Sequence, residues 1–340
     1  MTDDMWAVAD LVTPMAVRVA ATLRLADHIA AGEHSPAALA AAVGADPDAL
    51  ERVMAHLVTA GILTPSNQLT ALGEKLRSDH PEQMRAWLDI EGSVGRAELS
   101  FVSLLHTVRT GEAAFPQLYG RDFWTDMAAD PARAASFDAL MGGRLEDDAA
   151  AVAAAYPWEP LGHLVDVGGG NGTLLIAILR EHPSLRGTVV DLAGPVARAT
   201  AAIAEAGLAD RATAVEGSFF DPLPPNAGGY LLSGVLHDWD DASAARILRQ
   251  CAAAGPAGKV IVVEDNMRRA VATSGDLRML CYVRGRDRTL DQMRELARSA
   301  GLAAGPVTPG GTRLIAEYSV VPVHVGLPPS EDAGHAHPPA

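Results

Sequence analysis

His237 and a cluster of glycines near position 170 are the residues of this chain best suited to chemistry. The glycines close the stretch Leu164-Val165-Asp166-Val167-Gly168-Gly169-Gly170-Asn171-Gly172-Thr173, where one apolar run gives way to another, Leu174 to Arg180. Glycine lets a backbone turn sharply and come close to a ligand, and a helix starting there offers free N–H groups. Asp191 ends the next apolar run, Gly187-Thr188-Val189-Val190, where an acid can accept both hydroxyls of a ribose. His237, in His237-Asp238-Trp239, carries a side chain that exchanges a proton near neutral pH and so suits general-base work. The pattern is that of a nucleoside-bearing cofactor beside a proton acceptor. The glycines do not follow the G-x-G-x-x-G spacing of a dinucleotide site, so a nicotinamide dehydrogenase, which shares the acid after the second strand, lacks support.

Five apolar runs would position these groups: Leu164 to Val167, Gly187 to Asp191, Ala212 to Val215, Tyr230 to Ser233 and Lys259 to Val263. Strands alternating with helices predict an α/β chain with a doubly wound parallel sheet, which binds ligands at the carboxyl ends of its strands. Gly168, Asp191, Gly217-Ser218-Phe219-Phe220, His237 and Glu264-Asp265-Asn266 all fall at such ends. A helix from Leu290 to Ala300 and strands near Gly305 to Val307 and Leu314 to Tyr318 would complete the sheet.

Taken together, Asp166-Val167-Gly168-Gly169-Gly170, Asp191, Gly217-Ser218-Phe219-Phe220 and His237-Asp238-Trp239 resemble the S-adenosylmethionine-dependent small-molecule O-methyltransferases. The likeness is greatest to bacterial enzymes that tailor aromatic polyketides of the anthracycline kind, which are themselves similar to plant caffeate-type O-methyltransferases. It implies a Rossmann-like methyltransferase domain behind an N-terminal α-helical winged-helix dimerisation domain. The implied reaction moves a methyl group from S-adenosylmethionine to a phenolic hydroxyl of a polycyclic aromatic natural product and leaves S-adenosylhomocysteine. Such an in-line displacement needs desolvation, alignment and removal of the hydroxyl proton; alignment alone can supply about 7–11 kcal/mol. The resemblance makes His237 the base, with Glu264 and Asp287 flanking it; Asp287 stands where plant relatives carry Glu. It places Asp166, Gly168, Gly170 and Ser233 against the methionyl end of the cofactor and Asp191 with Leu192 against the ribose. Ser218 and Phe219 would flank the adenine, Ser218 standing where the family usually has Asp. Asp238 would contact the acceptor or cap the following helix, capping being the simpler role. Relatives that lost the base hydroxylate or decarboxylate on the same fold, and their signature lacks this His, so His237 favours methylation. No metal-ligand cluster accompanies it.

Residues 1–83 read as the winged-helix domain. Two apolar-periodic helices meet near Pro14; Ser35 with Pro36 and then Asp46 open two more, and Gly61 ends the last. Ile62-Leu63-Thr64 and Gln68-Leu69-Thr70 read as a small β wing. A DNA-binding regulator is the rival from another function class. The second of these helices, however, begins with Asp46, Asp48 and Glu51 against Arg52 alone, and phosphate would repel it. The net charge of −15 likewise argues against a nucleic-acid partner. The resemblance instead makes the module a homodimerisation domain. Residues 84–155 read as a helical connector over the acceptor pocket, with turn signals at Gly111, Pro116, Gly120 and Gly142-Gly143. Trp124 and Met141 are candidate acceptor contacts, with Trp87, Phe101, Phe115, Phe123 and Phe137 as further candidates, half of them at most lining the pocket. Residues 156–320 form the catalytic domain, and residues 321–340, with five prolines, read as a disordered tail. Relative to the family, Met267 to Gly275 is short by several residues, in a wall of the acceptor pocket. Two cysteines, Cys251 and Cys281, read as buried thiols of a cytoplasmic enzyme, and no apolar run is long enough to span a membrane.

Overall fold

A computed structural model of the chain describes residues 5–264 and 273–321; Asp265, Asn266, most of the short 267–275 link and the tail from residue 322 lie outside them. Seven strands form one sheet in the order β3-β2-β1-β4-β5-β7-β6. They are β1 His163–Val167, β2 Arg186–Asp191, β3 Ala212–Glu216, β4 Gly229–Ser233, β5 Lys259–Glu264, β6 Leu302–Gly310 and β7 Arg313–Val320. The first five are parallel, and β7 runs antiparallel between β5 and β6. From β1 the chain winds out through β2 to β3, then crosses back to β4 on the other side of β1. The connections therefore part at the carboxyl ends of β1 and β4, which opens a crevice there. Leu164, Val165, Val167, Tyr230, Leu231 and Leu232 are completely buried, as expected of central parallel strands covered on both faces. Each large apolar side chain among them contributes roughly 1.5–3 kcal/mol by leaving water.

Among the five parallel strands, one link departs from strict strand–helix alternation. Residues 217–228, between β3 and β4, contain no helix. Pro222, Pro224 and Pro225 deny the segment the backbone donors and turns that a helix needs.

The N-terminal region has its own core of Leu25, Ile29, Leu39, Leu50, Met54 and Leu57. The Ser35 hydroxyl accepts from the Ala38 N–H ahead of the helix Pro36–Val43, and Asp46 accepts from the Ala49 N–H ahead of the helix Pro47–Thr59. The wing is reduced to a single antiparallel bridge, Leu63 to Leu69. The break expected near Pro14 falls a few residues earlier, ahead of Val12. Pro14 sits in the first turn of the helix Val12–Thr22, where its missing N–H costs nothing, and the breaks fall at Asp10 and at left-handed Arg24.

The connector is helical throughout much of its length and ends in the helix Pro131–Ala155, the cap helix, whose first N–H groups Asp130 accepts from. Gly142 and Gly143 lie inside this helix and do not end it. Their small size serves packing: a Cβ on Gly142 would fall 2.9 Å from Nδ2 of Asn171, so the helix can lie directly on the glycine-rich loop. Its other end is fixed by Val152, Ala153 and fully buried Trp158, and by Asp148, which accepts from the Thr312 N–H and hydroxyl before β7.

Candidate active site

The crevice between β1 and β4 is floored by backbone rather than side chain. Gly168 has φ +72° and lies so close to the next turn that a Cβ would meet Val235 Cγ2 at 2.9 Å. Gly169 folds over Asp166; a Cβ there would be 2.5 Å from Oδ2. Gly170 donates its N–H to Asp191 Oδ2 at 2.8 Å, and Leu192 donates to Oδ1 at 2.7 Å, so the loop after β1 and the acid after β2 form one unit. Phe219 packs its ring against Gly168 and edge-on to Phe220 and Trp239, while the Ser218 hydroxyl accepts from the Phe220 N–H.

Two buried polar atoms in this crevice, Oδ1 of Asp166 and Oγ of Ser233, have no hydrogen-bond partner among the described residues. Asp166 is 1% exposed, and burial together with the charge of Asp191 pushes its carboxyl up to about 7. A buried acid without a donor destabilises a fold unless a ligand meets it. Burial also pushes Asp191 up, opposed by its two backbone donors and by Arg198. Orphaned acceptors, an acid held by amides and a floor of glycine fit a group with an ammonium at one end and ribose hydroxyls at the other. S-adenosylmethionine is such a group.

His237 stands on the short turn Leu236–Asp238 just beyond β4. Its Nδ1 is 2.8 Å from Oε2 of Glu264, the last residue of β5, which is 5% exposed. Its Nε2 is 3.4 Å from Oδ1 of Asp238. Burial works against a charged imidazole here, but Glu264, Asp238 and Asp287 overcome it and raise His237 to about 10. Burial raises Asp238 to about 6 against the attraction of His237. Asp287 is buried, lines the same small recess as His237 and Glu264, and takes the Asp276 carboxylate on its backbone N–H at 3.0 Å.

Asp238 does not cap the following helix. That helix, Asp241–Ala254, is capped by Asp240, which accepts from the Ser243 N–H at 2.8 Å; extended Trp239 separates it from the turn that holds Asp238. Trp124 stacks edge-on with Phe123 and Phe137 in a cluster that includes Phe115 and Tyr282, and its buried indole N–H has no partner among the described residues. Phe101 packs against that cluster as well. Met141 is half-buried on the cap helix, and Trp87 lies on the helix Met84–Leu88, which packs on the N-terminal helix Val12–Thr22.

Gly285 was missed by reading the sequence. A Cβ there would lie 2.1 Å from the main-chain oxygen of His237, to which Arg286 donates at 2.9 Å. No local pattern marks it, because its partner is forty-eight positions away in sequence.

An O-methyltransferase domain model matches residues 101–303, and an O-methyltransferase dimerisation domain model matches residues 6–77. The chain is 53% identical over 309 residues to the 2,7-dihydroxy-5-methyl-1-naphthoate 7-O-methyltransferase of Streptomyces carzinostaticus, covering 89% of this chain and 93% of that protein. It is 48% identical over 330 residues to the aclacinomycin 10-hydroxylase of Streptomyces purpurascens, covering 92% of this chain and 88% of that protein. It also superimposes with a TM-score of 0.91 on the O-methyltransferase of neocarzinostatin biosynthesis solved with S-adenosyl-L-homocysteine and 1,4-dihydroxy-2-naphthoic acid, at 50% identity, covering 94% of this chain and all of that one. The glycine floor, the orphaned acceptors and the carboxylate-bound histidine thus sit in a chain that belongs to the S-adenosylmethionine-dependent O-methyltransferases.

Proposed function

We propose that this enzyme methylates a phenolic hydroxyl on a polycyclic aromatic natural product, with His237 as the base. The observation that carries this reading is the bond from His237 Nδ1 to buried Glu264. Accepting the Nδ1 proton fixes the tautomer, so a neutral imidazole presents its lone pair at Nε2. A proton taken there is met by Asp238 at 3.4 Å. A base raised to about 10 matches a phenol of pKa about 10, so the transfer between them is nearly level in free energy. Asp287 adds negative charge to the same recess and is proposed to help hold the imidazolium.

Bound S-adenosylmethionine supplies an electrophilic methyl group on a sulfonium. Asp166, Gly168, Gly170 and Ser233 would hold its methionyl end, Asp191 and Leu192 its ribose, and Ser218 and Phe219 its adenine. The aromatic cluster at Trp124, together with Met141 one turn after Phe137 on the cap helix, is proposed to supply faces for a flat acceptor. We place the enzyme in the cytoplasm as a homodimer, with dimerisation, connector and catalytic regions at 1–83, 84–155 and 156–320. Among the described residues no helix is long and apolar enough to cross a membrane.

The similarity to a hydroxylase gives a second reading, oxidation of the acceptor, which His237 disfavours because that chemistry has no use for a phenol base. Incubating the enzyme with S-adenosylmethionine and a panel of hydroxynaphthoates and anthracycline aglycones separates the two by mass. Gain of a methylene unit with release of S-adenosylhomocysteine supports the proposal. Gain of oxygen, or no product across the panel, would overturn it.

A further inference from the structure

The cap helix touches the cofactor crevice at two places one turn apart. Gly142 lies on Asn171 of the glycine loop. One turn earlier, at i−4 and thus on the same face, Asp138 forms an ion pair with Arg198 of the helix Ala193–Glu205. That second helix starts two residues beyond Asp191. The guanidinium folds back over its first turn, where both terminal nitrogens come within 3.6 Å of a Cβ position on Gly194. Asp138 is 12% exposed and Arg198 31%, so the pair is partly desolvated and worth more than a surface contact.

The charges are also coupled. Asp191 is half-buried; burial pushes its carboxyl up and Arg198 opposes this, while Asp191 and Asp138 repel one another. As a carboxylate Asp191 is acceptor-only, with lone pairs enough for ribose hydroxyls as well as the two backbone donors it already serves. Asp138 in turn holds the long Arg198 side chain, and their ion pair offsets the rotamer entropy lost in keeping it there.

We propose that Arg198, held in place by Asp138 of the cap helix, is a positioning residue for the nucleoside end of the cofactor. Its guanidinium braces the first turn that follows Asp191 and ties the cap helix down across the glycine loop. Neither residue touches the reacting atoms. The assignment rests on the cofactor lying along this crevice, and it extends that reading from the strand ends to the cap.

Titration calorimetry with S-adenosylhomocysteine tests it on the full-length enzyme and on Arg198→Gln, Arg198→Lys, Asp138→Asn and the Gln/Asn double variant. Arg198→Gln should weaken binding about tenfold, and Arg198→Lys, which keeps the charge but not the fork, should recover part of that loss. Asp138→Asn should weaken binding in the same direction, and the double variant should be no worse than Arg198→Gln alone, because the two act through one contact. The KM for S-adenosylmethionine should rise while kcat and the acceptor KM hold, and the ligand-free melting temperature should stay near that of the parent. Unchanged affinity in Arg198→Gln, or strictly additive losses in the double variant, would overturn the proposal. So would a fall in melting temperature with parallel losses in both KM values, the mark of a merely structural pair. Failure of the unaltered enzyme to bind S-adenosylhomocysteine would instead remove the cofactor site itself, and this assignment with it.

Discussion

As the proposed base, His237 carries its own proton at neutral pH. With the imidazole raised to about 10, the productive complex needs one proton fewer than the free enzyme and phenol hold near pH 7. Raising the pH supplies that change, so kcat/KM should climb by about tenfold per unit above neutrality and level off toward pH 10. His237→Ala should lose on the order of 10²–10⁴ in kcat and flatten the profile while cofactor affinity holds. A level wild-type profile from pH 6 to 9 would remove His237 from the reaction. Asp166 makes the opposite use of burial. Its folded pKa of about 7 exceeds the unfolded value of 3.8, so its contribution to stability is full below pH 4 and is lost as pH rises through 7. Asp166→Asn should therefore raise the melting temperature of the ligand-free enzyme at pH 8, by a few degrees, and abolish the stabilisation that S-adenosylhomocysteine confers. If the variant melts lower at pH 8 yet binds normally, Asp166 belongs to the core and not to the cofactor site.

Elements matter here through how closely their backbones approach. Leu164 to Val167 and Tyr230 to Ser233 were legible as strands because buried parallel strands are continuously apolar and bounded by glycine. The loop at Gly285 was not legible, since its constraint is a main-chain oxygen brought in from another strand end. Gly285→Ala places a methyl group 2.1 Å from that oxygen, and backbone cannot yield as a flexible side chain can. We expect the loop carrying Asp287 to withdraw from His237, with kcat down by at least about tenfold and cofactor affinity little changed. Single-turnover kinetics beside calorimetry would show this; full activity in the variant would mean that the loop's approach is unimportant. Gly142 and Gly143 teach the same lesson in reverse. In sequence a glycine pair reads as a turn, whereas in the fold it is the place where a long helix settles on the glycine-rich loop.

At the scale of the whole molecule, the dimerisation domain leaves an apolar face uncovered in the single chain. Met5, Trp6, Val8, Leu11 and Val12 are all exposed at its N-terminal edge. A patch of this kind marks an interface, and a second copy is the occupant that the domain specifies. Val8→Asp with Val12→Asp should shift the enzyme to monomer in sedimentation velocity. An acid at the first position of the helix Val12–Thr22 favours that helix, and an unchanged melting temperature would exclude unfolding as the cause. A dimer that persists would place the interface elsewhere. The sequence by itself determined the sheet, the glycine loop, the acid after β2 and the histidine after β4, because strand periodicity and turn chemistry are local and polar groups collect at strand ends. Only the tertiary structure decided that Glu264 holds Nδ1 of His237, that Asp240 rather than Asp238 caps the next helix, and that Arg198 finds Asp138 sixty residues away. Those choices depend on which elements become neighbours in space, and no spacing along the chain encodes a contact made across the crevice.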